Sequence, residues 1–314
     1  MSSELRELLK PWRARLAGEL ERVWAQTAAS IVSTLDLPAA TPWTPCANDD
    51  RRGRIVEVLA PHPDDELAGC GAALLAHRRA DDRVRLLMVT DGRRSRALGL
   101  APDEMARRRR EEANRVSQAL GAELVWIGLR ESEWTHDELV EHLRTRWSKQ
   151  APTLLYAPSR IDYHPEHRRV AFALSEVISQ ARELVPCRVR IYSVQVPLTP
   201  VLANVVLGAS ADARELASIA ECYVTQRETL SAQRRMRRYV AAWHRLESET
   251  EAEEFWEVSA LAYEAVHRHT IQPSRPWRGL HRLPWSDPLS AVVGLRTRRT
   301  LRELAQRFDH ADGR

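Results

Sequence analysis

One imidazole and three carboxylates fall within five residues in the segment Ala60-Pro61-His62-Pro63-Asp64-Asp65-Glu66. The segment directly follows Ile55-Val56-Glu57-Val58-Leu59-Ala60, a short apolar run that reads as a strand. A His and two Asp at a strand end form a natural divalent-metal site with a spare carboxylate beside it. Metal plus a free base is the equipment for activating water. The segment therefore predicts a metal-dependent hydrolase, and the rest of the chain must supply a third ligand and a substrate pocket.

His62 and Asp65 lie three residues apart on a turn stiffened by Pro63, which fixes one φ and lacks an N–H. A third donor is offered by Tyr163-His164-Pro165-Glu166-His167, just beyond the fourth expected strand and on the same sheet edge. His62, Asp65 and His167 then make a His₂Asp set with positions left open for water and substrate. Two histidines favour Zn²⁺ over Mg²⁺ or Mn²⁺. Asp64 neighbours a ligand yet remains free to act as general base. His164, three residues before His167, is expected as an imidazolium holding a tetrahedral intermediate. Glu66 reads as structural. The bland alternative, in which Asp64 or Asp65 only caps the following helix, loses ground to the second His pair. Asp91, at another strand end, suits a pocket or a turn equally, and Trp134 could line the pocket.

These residues need a scaffold, and the pattern supplies one. Strands are expected at Ile55–Ala60, Val84–Thr90, Leu124–Leu129, Thr153–Ala157 and Val189–Val196. Helices are expected at Leu67–Arg79, Pro102–Leu120 (with Gly121 as its stop), Asp137–Lys149 and His167–Leu184. Strands alternating with helices of this length imply parallel βαβ units. The fold class is thus α/β, a Rossmann-like three-layer domain with a mainly parallel sheet and helical N- and C-terminal extensions. In such sheets ligands sit beyond the carboxyl ends of the strands, where His62, Asp91 and His167 all fall. Residues 1–50 read as an N-terminal helical extension, 51–270 as the main domain and 271–314 as a tail. Within the main domain, 212–247 reads as one long helical stretch and Glu253–His269 as a further helix. The tail carries Trp277 and Trp285 among prolines and looks extended.

Composition narrows the partners. The 314 residues carry a formal charge of +4, with 29% charged and 44% hydrophobic residues, enough for a sizeable core. The basic excess is spread along the chain and is not the concentrated stripe of a nucleic-acid binder. No apolar run approaches a membrane span, and the N-terminus has no secretory h-region. Cys46, Cys70, Cys187 and Cys222 are scattered, which suits free thiols. A cytoplasmic protein acting on a small molecule is the expectation.

The first segment closely resembles the A-H-P-D-D-E motif of the PIG-L/LmbE-like N-acetylglucosaminyl deacetylases. His164-Pro165-Glu166-His167 resembles that family's second motif, with Glu166 where Asp is frequent. Arg109-Arg110-Glu111-Glu112, followed by Leu120-Gly121, looks like its R-x-x-E helix. The resemblance spans roughly residues 54–260. It implies a Rossmann-like fold, a Zn²⁺ ion and removal of an N-acetyl group from a GlcNAc-containing or related amide. By motif position it implies His62, Asp65 and His167 as zinc ligands, Asp64 as base and His164 as electrostatic or acid partner. It also brings Arg109 forward as a substrate contact. The chain departs from the family at Thr90-Asp91-Gly92-Arg93-Arg94-Ser95-Arg96, whose three arginines could meet a phosphate or carboxylate. It departs again at Tyr223-Val224-Thr225-Gln226, where an H-x-S-Q-like segment is common. The alternatives are a metal-dependent phosphoesterase and a non-catalytic sugar- or anion-binding module.

Overall fold

Val56, Val58, Leu59 and Ala60 expose no surface at all, which puts their strand in the middle of a sheet covered on both faces. In the computed structural model that sheet has eight strands. They are β1 (Thr41–Pro42), β2 (Ile55–Ala60), β3 (Arg83–Thr90), β4 (Glu123–Leu129), β5 (Leu154–Pro158), β6 (Arg188–Tyr192), β7 (Val205–Gly208) and β8 (Ala252–Ser259). Their spatial order is β1-β7-β8-β6-β5-β2-β3-β4. Every pairing is parallel except those of β8 with β6 and β7. The structure describes residues 53–162, 164–181, 188–198, 201–269 and 295–309, with Thr41–Pro42 and the single positions 23, 27, 30 and 183. The expected N-terminal helical extension therefore lies mostly outside the described residues, although Val23, Thr27 and Ser30 are helical. Trp12, Trp24, Tyr163, Trp277 and Trp285 lie outside them too.

Successive side chains of the central strands enter two different cores. Leu59, Leu87, Val89 and Leu155 pack with α3 (His136–Trp147), α4 (Pro165–Gln180), α7 (Ala260–His269) and α8 (Leu295–Asp309). Val58, Ala60, Leu86 and Tyr156 pack on the other face with α1 (Asp65–Arg79), α2 (Pro102–Leu120) and α5 (Ala213–Ala220). Helices on both faces of a mainly parallel sheet are the three-layer architecture expected. Among the described residues no helix is long and apolar enough to cross a membrane. Cys70 and Cys222 are free thiols.

Close packing explains the small residues that open α1. A Cβ on Gly69 would sit 2.2 Å from the Tyr192 ring. The helix breaks at Cys70 (φ −146°), and the freed N–H groups of Ala72 and Ala73 donate to the two oxygens of Glu253 at 2.8 and 3.0 Å. A carboxylate on β8 thus caps the second half of α1, satisfying donors that a helix start leaves open.

Two expectations are corrected on the C-terminal side. The single helix over 212–247 is divided into α5, a 3₁₀ turn at Val224–Gln226 and α6 (Arg227–Trp243). The break turns Tyr223 inward, where it is fully buried. The helix expected over Glu253–His269 is half strand: β8 occupies Ala252–Ser259 and only α7 is helical. The expected helical C-terminal extension is α8 over Leu295–Asp309, and the Trp- and Pro-bearing stretch before it, expected to be extended, lies outside the described residues. β7 was not foreseen.

Topology places the site. From β2 the chain steps outward to β3 and β4, then returns to the other side of β2 as β5. The sheet order reverses between β2 and β5, so a crevice opens beyond their carboxyl ends. His62 follows β2, and His164 and His167 follow β5.

Candidate active site

The turn after β2 is held under strain. Asp64 has φ 132°, a region that non-glycine residues avoid at a cost of about 1–3 kcal/mol. Its N–H donates to Glu66 Oε2 at 3.0 Å, and its carbonyl accepts from Leu67 and Ala68 at the start of α1. Arg109, buried on α2, donates through Nη2 to the Pro63 carbonyl and to Asp64 Oδ1, the latter at 2.5 Å. Its Nη1 donates to the Gly92 carbonyl, so close that a Cβ on Gly92 (φ +64°) would lie 2.6 Å from it. Thr90 Oγ1 donates to the Pro61 carbonyl at 2.8 Å, tying the end of β3 to the same turn.

The second motif arrives from β5. His167 lies in the first turn of α4 and His164 caps that helix, its Nδ1 accepting from the Glu166 N–H at 3.2 Å. His62, His164 and His167 each present a ring nitrogen within 4.8 Å of the other two. Asp65 Oδ2 stands between two of them, 3.1 Å from His62 Nδ1 and 3.1 Å from His167 Nε2, and accepts from the His62 backbone N–H at 2.8 Å. The structure therefore brings together the five residues singled out for metal binding and catalysis.

Their electrostatics are uneven. Burial alone would lower His62, but the Asp65 and Glu131 carboxylates beside its ring raise it to about 9. Burial would likewise lower His167, yet Asp65 and Asp162 hold it well above its ordinary value. Asp65 is the reverse: burial would raise it, and the two histidines pull it well below the usual carboxylate range. The cluster thus favours positive charge at His62 and His167, which a divalent cation would supply in place of protons. Buried His62 Nε2 has no hydrogen-bond partner, and the nearest carboxylate oxygen, on Glu131, is 3.4 Å away. A metal fits this donor set. Burial pushes Asp64 up to about 6 even though Arg109 opposes it, close to where a general base works best. His164 differs from expectation. Burial and the neighbouring His62 and His167 lower it to about 4, so it is neutral and not an imidazolium. With Nδ1 accepting from the backbone, its proton sits on Nε2.

Sequence reasoning missed two carboxylates here. Asp162, which exposes no surface, accepts from His167 Nδ1 at 3.0 Å and from the N–H groups of Val194 and Gln195. This fixes the tautomer that frees His167 Nε2 for a ligand role. Glu131, after β4, takes the His62 side, and its Oε2 accepts from the Arg94 N–H at 2.8 Å. Burial would raise Glu131, but His62 and the Arg94 N–H bring it down to about 2. An acid five residues before a candidate ligand His was the available signal for Asp162. For Glu131 there was none beyond its place at a strand end.

The three expected substrate contacts are committed elsewhere. Arg109 is spent on Asp64 and two backbone carbonyls. Asp91 accepts from the Arg93 side chain at 2.7 Å and from the N–H groups of Arg93 and Glu131, so it builds a turn. Trp134 is buried, donating to Glu166 at 2.5 Å with Arg169 stacked 3.9 Å over its ring. The divergent late segment supports the site from behind. Tyr223 donates to Glu66 Oε1 at 2.7 Å, and Thr225 Oγ1 donates to Glu112 at 2.6 Å. One turn of α2 therefore carries Arg109 to the Pro63–Asp64 turn and Glu112 to the segment that braces it.

Residues 58–178, which span both His-containing turns, match the PIG-L family, GlcNAc-PI de-N-acetylase. This part of the chain is a PIG-L-family domain. No curated protein matches the chain. Among solved structures, the chain is similar to N,N'-diacetylchitobiose deacetylase from Pyrococcus horikoshii, with a TM-score of 0.57 and 19% identity over 71% of this chain and 88% of that one. It is similar to the A40926 pseudoaglycone deacetylase Dbv21, with a TM-score of 0.52 and 20% identity over 67% of this chain and 98% of that one. It is also similar to GalB, the 4-carboxy-2-hydroxymuconate hydratase from Pseudomonas putida, with a TM-score of 0.56 and 17% identity over 65% and 96%. At these identities the likeness is one of fold. A hydratase among the neighbours means that the fold of the PIG-L domain does not by itself choose the reaction.

Proposed function

We propose that this protein is a Zn²⁺-dependent hydrolase that removes an N-acetyl or other N-acyl group from an amino sugar or sugar conjugate. The observation that carries this reading is a buried carboxylate, Asp64, next to the His62–Asp65–His167 cluster in the crevice of a PIG-L-family domain. The proposed metal ligands are His62, Asp65 and His167. When bound there, the ion supplies Lewis acidity to the amide carbonyl and lowers the pKa of water beside it.

The protein side chains divide the remaining work. Asp64 takes the proton from water as its oxygen bonds to the carbonyl carbon. The proton then passes to the amine nitrogen as the C–N bond breaks, leaving carboxylate and amine. His164 donates its Nε2–H to the oxyanion of the tetrahedral intermediate. Arg109 and Glu66 fix the strained turn so that the Asp64 carboxylate is aimed in advance and little reorganisation is needed. Asp162 locks His167, and Glu131 steadies His62.

The functional test is acetate release from a panel of N-acetylated sugars and conjugates, with metal-stripped and Zn²⁺-reconstituted protein. Release only by the reconstituted protein is expected, and no release from any amide would sink the reading. The ligand set has its own test. His167→Gln is expected to lose bound Zn²⁺, whereas His164→Gln keeps it and loses turnover. Equal metal loss in both would instead favour the three-histidine set.

A further inference from the structure

The loops after β3 and β4 line an open pocket of about 480 Å³, a size suited to a small ligand. Four arginines line it (Arg93, Arg94, Arg96 and Arg130) against one acid, Glu133. Two of the four are neutralised. Arg93 donates to Asp91 at 2.7 Å and to Asp103 at 3.0 Å, and Arg130 pairs with Glu133 at 3.3 Å. The exposed side chains of Arg94 and Arg96 have no acidic partner among the described residues. Two guanidinium groups without counter-charge in one pocket are a match for an oxyanion, which each can grip with paired N–H donors.

The cavity is joined to the proposed active site by a single side chain. Glu131 receives the Arg94 N–H on Oε2, and its Oε1 lies 3.4 Å from His62 Nε2. Asp91 ties the two loops together by accepting from both Arg93 and Glu131. The position of Arg94 is therefore set by the same carboxylate that faces the His62 ring. From this we infer that the cavity is the subsite for a phosphate or carboxylate carried by the substrate, so that the enzyme prefers an anionic N-acylated amino sugar to a neutral one. This rests on the deacetylase reading above and specifies the class of substrate for it.

The test compares N-acetylglucosamine with N-acetylglucosamine 1-phosphate and 6-phosphate and with the carboxylate sugar N-acetylmuramic acid. It uses the Zn²⁺-reconstituted wild type and the Arg94→Ala/Arg96→Ala double variant. At least one anionic sugar is expected to exceed the neutral one in kcat/KM. In the double variant that preference is expected to fall about 10- to 100-fold, as for lost hydrogen bonds to a charged group. The sugar on which the preference rests tells phosphate from carboxylate. No anionic preference in the wild type, or one that survives in the double variant, overturns the inference. If no sugar is hydrolysed at all, the deacetylase reading fails, and calorimetric binding of the same four sugars decides the subsite alone. Tighter binding of an anionic sugar that is lost in the double variant supports it, and equal binding of all four sugars overturns it.

Discussion

β2 carries a buried polar cluster at each end, and the two are built on opposite principles. At its start, Glu57 exposes no surface, and both carboxylate oxygens are occupied. Oε1 accepts from Arg85 at 3.3 Å and from Arg146 at 2.7 and 3.0 Å, and Oε2 accepts from the Trp147 indole at 2.7 Å. Its conformation is that of an ordinary strand. At the other end, Asp64 sits at a strained φ, His62 Nε2 lacks a partner, and neighbouring imidazoles are driven apart, to about 9 and about 4. Buried polar groups are normally satisfied, so a cluster that is not is where chemistry is expected. The Glu57 end is a fastener. The His62 end is a site held open by its surroundings.

If that contrast is right, the largest effect on turnover comes from the strained end. Asp64→Ala is expected to lower kcat by about 10²- to 10⁴-fold while Zn²⁺ stoichiometry, read by elemental analysis, stays that of wild type. Near-normal turnover in this variant would remove Asp64 from the base role. The counterpart at the satisfied end is Glu57→Ala. It strands the Arg146 guanidinium and the Trp147 indole N–H and leaves Arg85 only Glu123 and Gln150, at a cost of about 3–5 kcal/mol. Urea unfolding should record that loss while the folded fraction hydrolyses at the wild-type rate. A change in kcat without a change in stability would erase the distinction between the two ends.

A middle-sized effect tests the link between them, the side chains that orient ligands without touching substrate. Asp162→Asn keeps one oxygen, enough for the Val194 N–H and His167 Nδ1 but not for the Gln195 N–H on the other oxygen, and loses the charge that raises His167. Zn²⁺ affinity should fall about 10- to 100-fold, measured by chelator competition, with the circular dichroism spectrum unchanged. Unaltered affinity would mean that His167 is not held through Nδ1.

What the sequence disclosed follows the same division. The clustering of the candidate residues was legible because it is local: His62, Asp64 and Asp65 share one turn, and His164 and His167 another. The strands feeding those turns are apolar runs flanked by helix signals. β8 was hidden because Glu253, Glu254 and Glu257 spoil any alternation. Each acid is satisfied by a partner far off in the chain: the α1 backbone, Leu198 and Arg190 in turn. The break before α6 was hidden as well, since no glycine or proline marks it. Its cause is the burial of Tyr223 against Glu66, 157 residues away. Arg109 was legible as important but not in role, because only the fold shows that its Nη2 ends on Asp64.

Tyr223 also supplies the smallest and most discriminating effect. Its hydroxyl donates to Glu66 Oε1 while Glu66 Oε2 receives the Asp64 N–H, so the phenol is linked to the proposed base through one intervening side chain. Tyr223→Phe keeps the ring packing and deletes a hydrogen bond to a carboxyl group, worth about 1–2 kcal/mol. If Glu66 serves only the fold, that loss appears wholly in urea unfolding and kcat is untouched. If Glu66 aims Asp64, kcat falls by up to about tenfold with KM unchanged, because the misaligned group acts on bound substrate and does not take part in binding it. The second outcome is expected here, since the strained turn has few other tethers. Apart from Arg109, the Glu66 bridge is the only side-chain hold on Asp64 among the described residues.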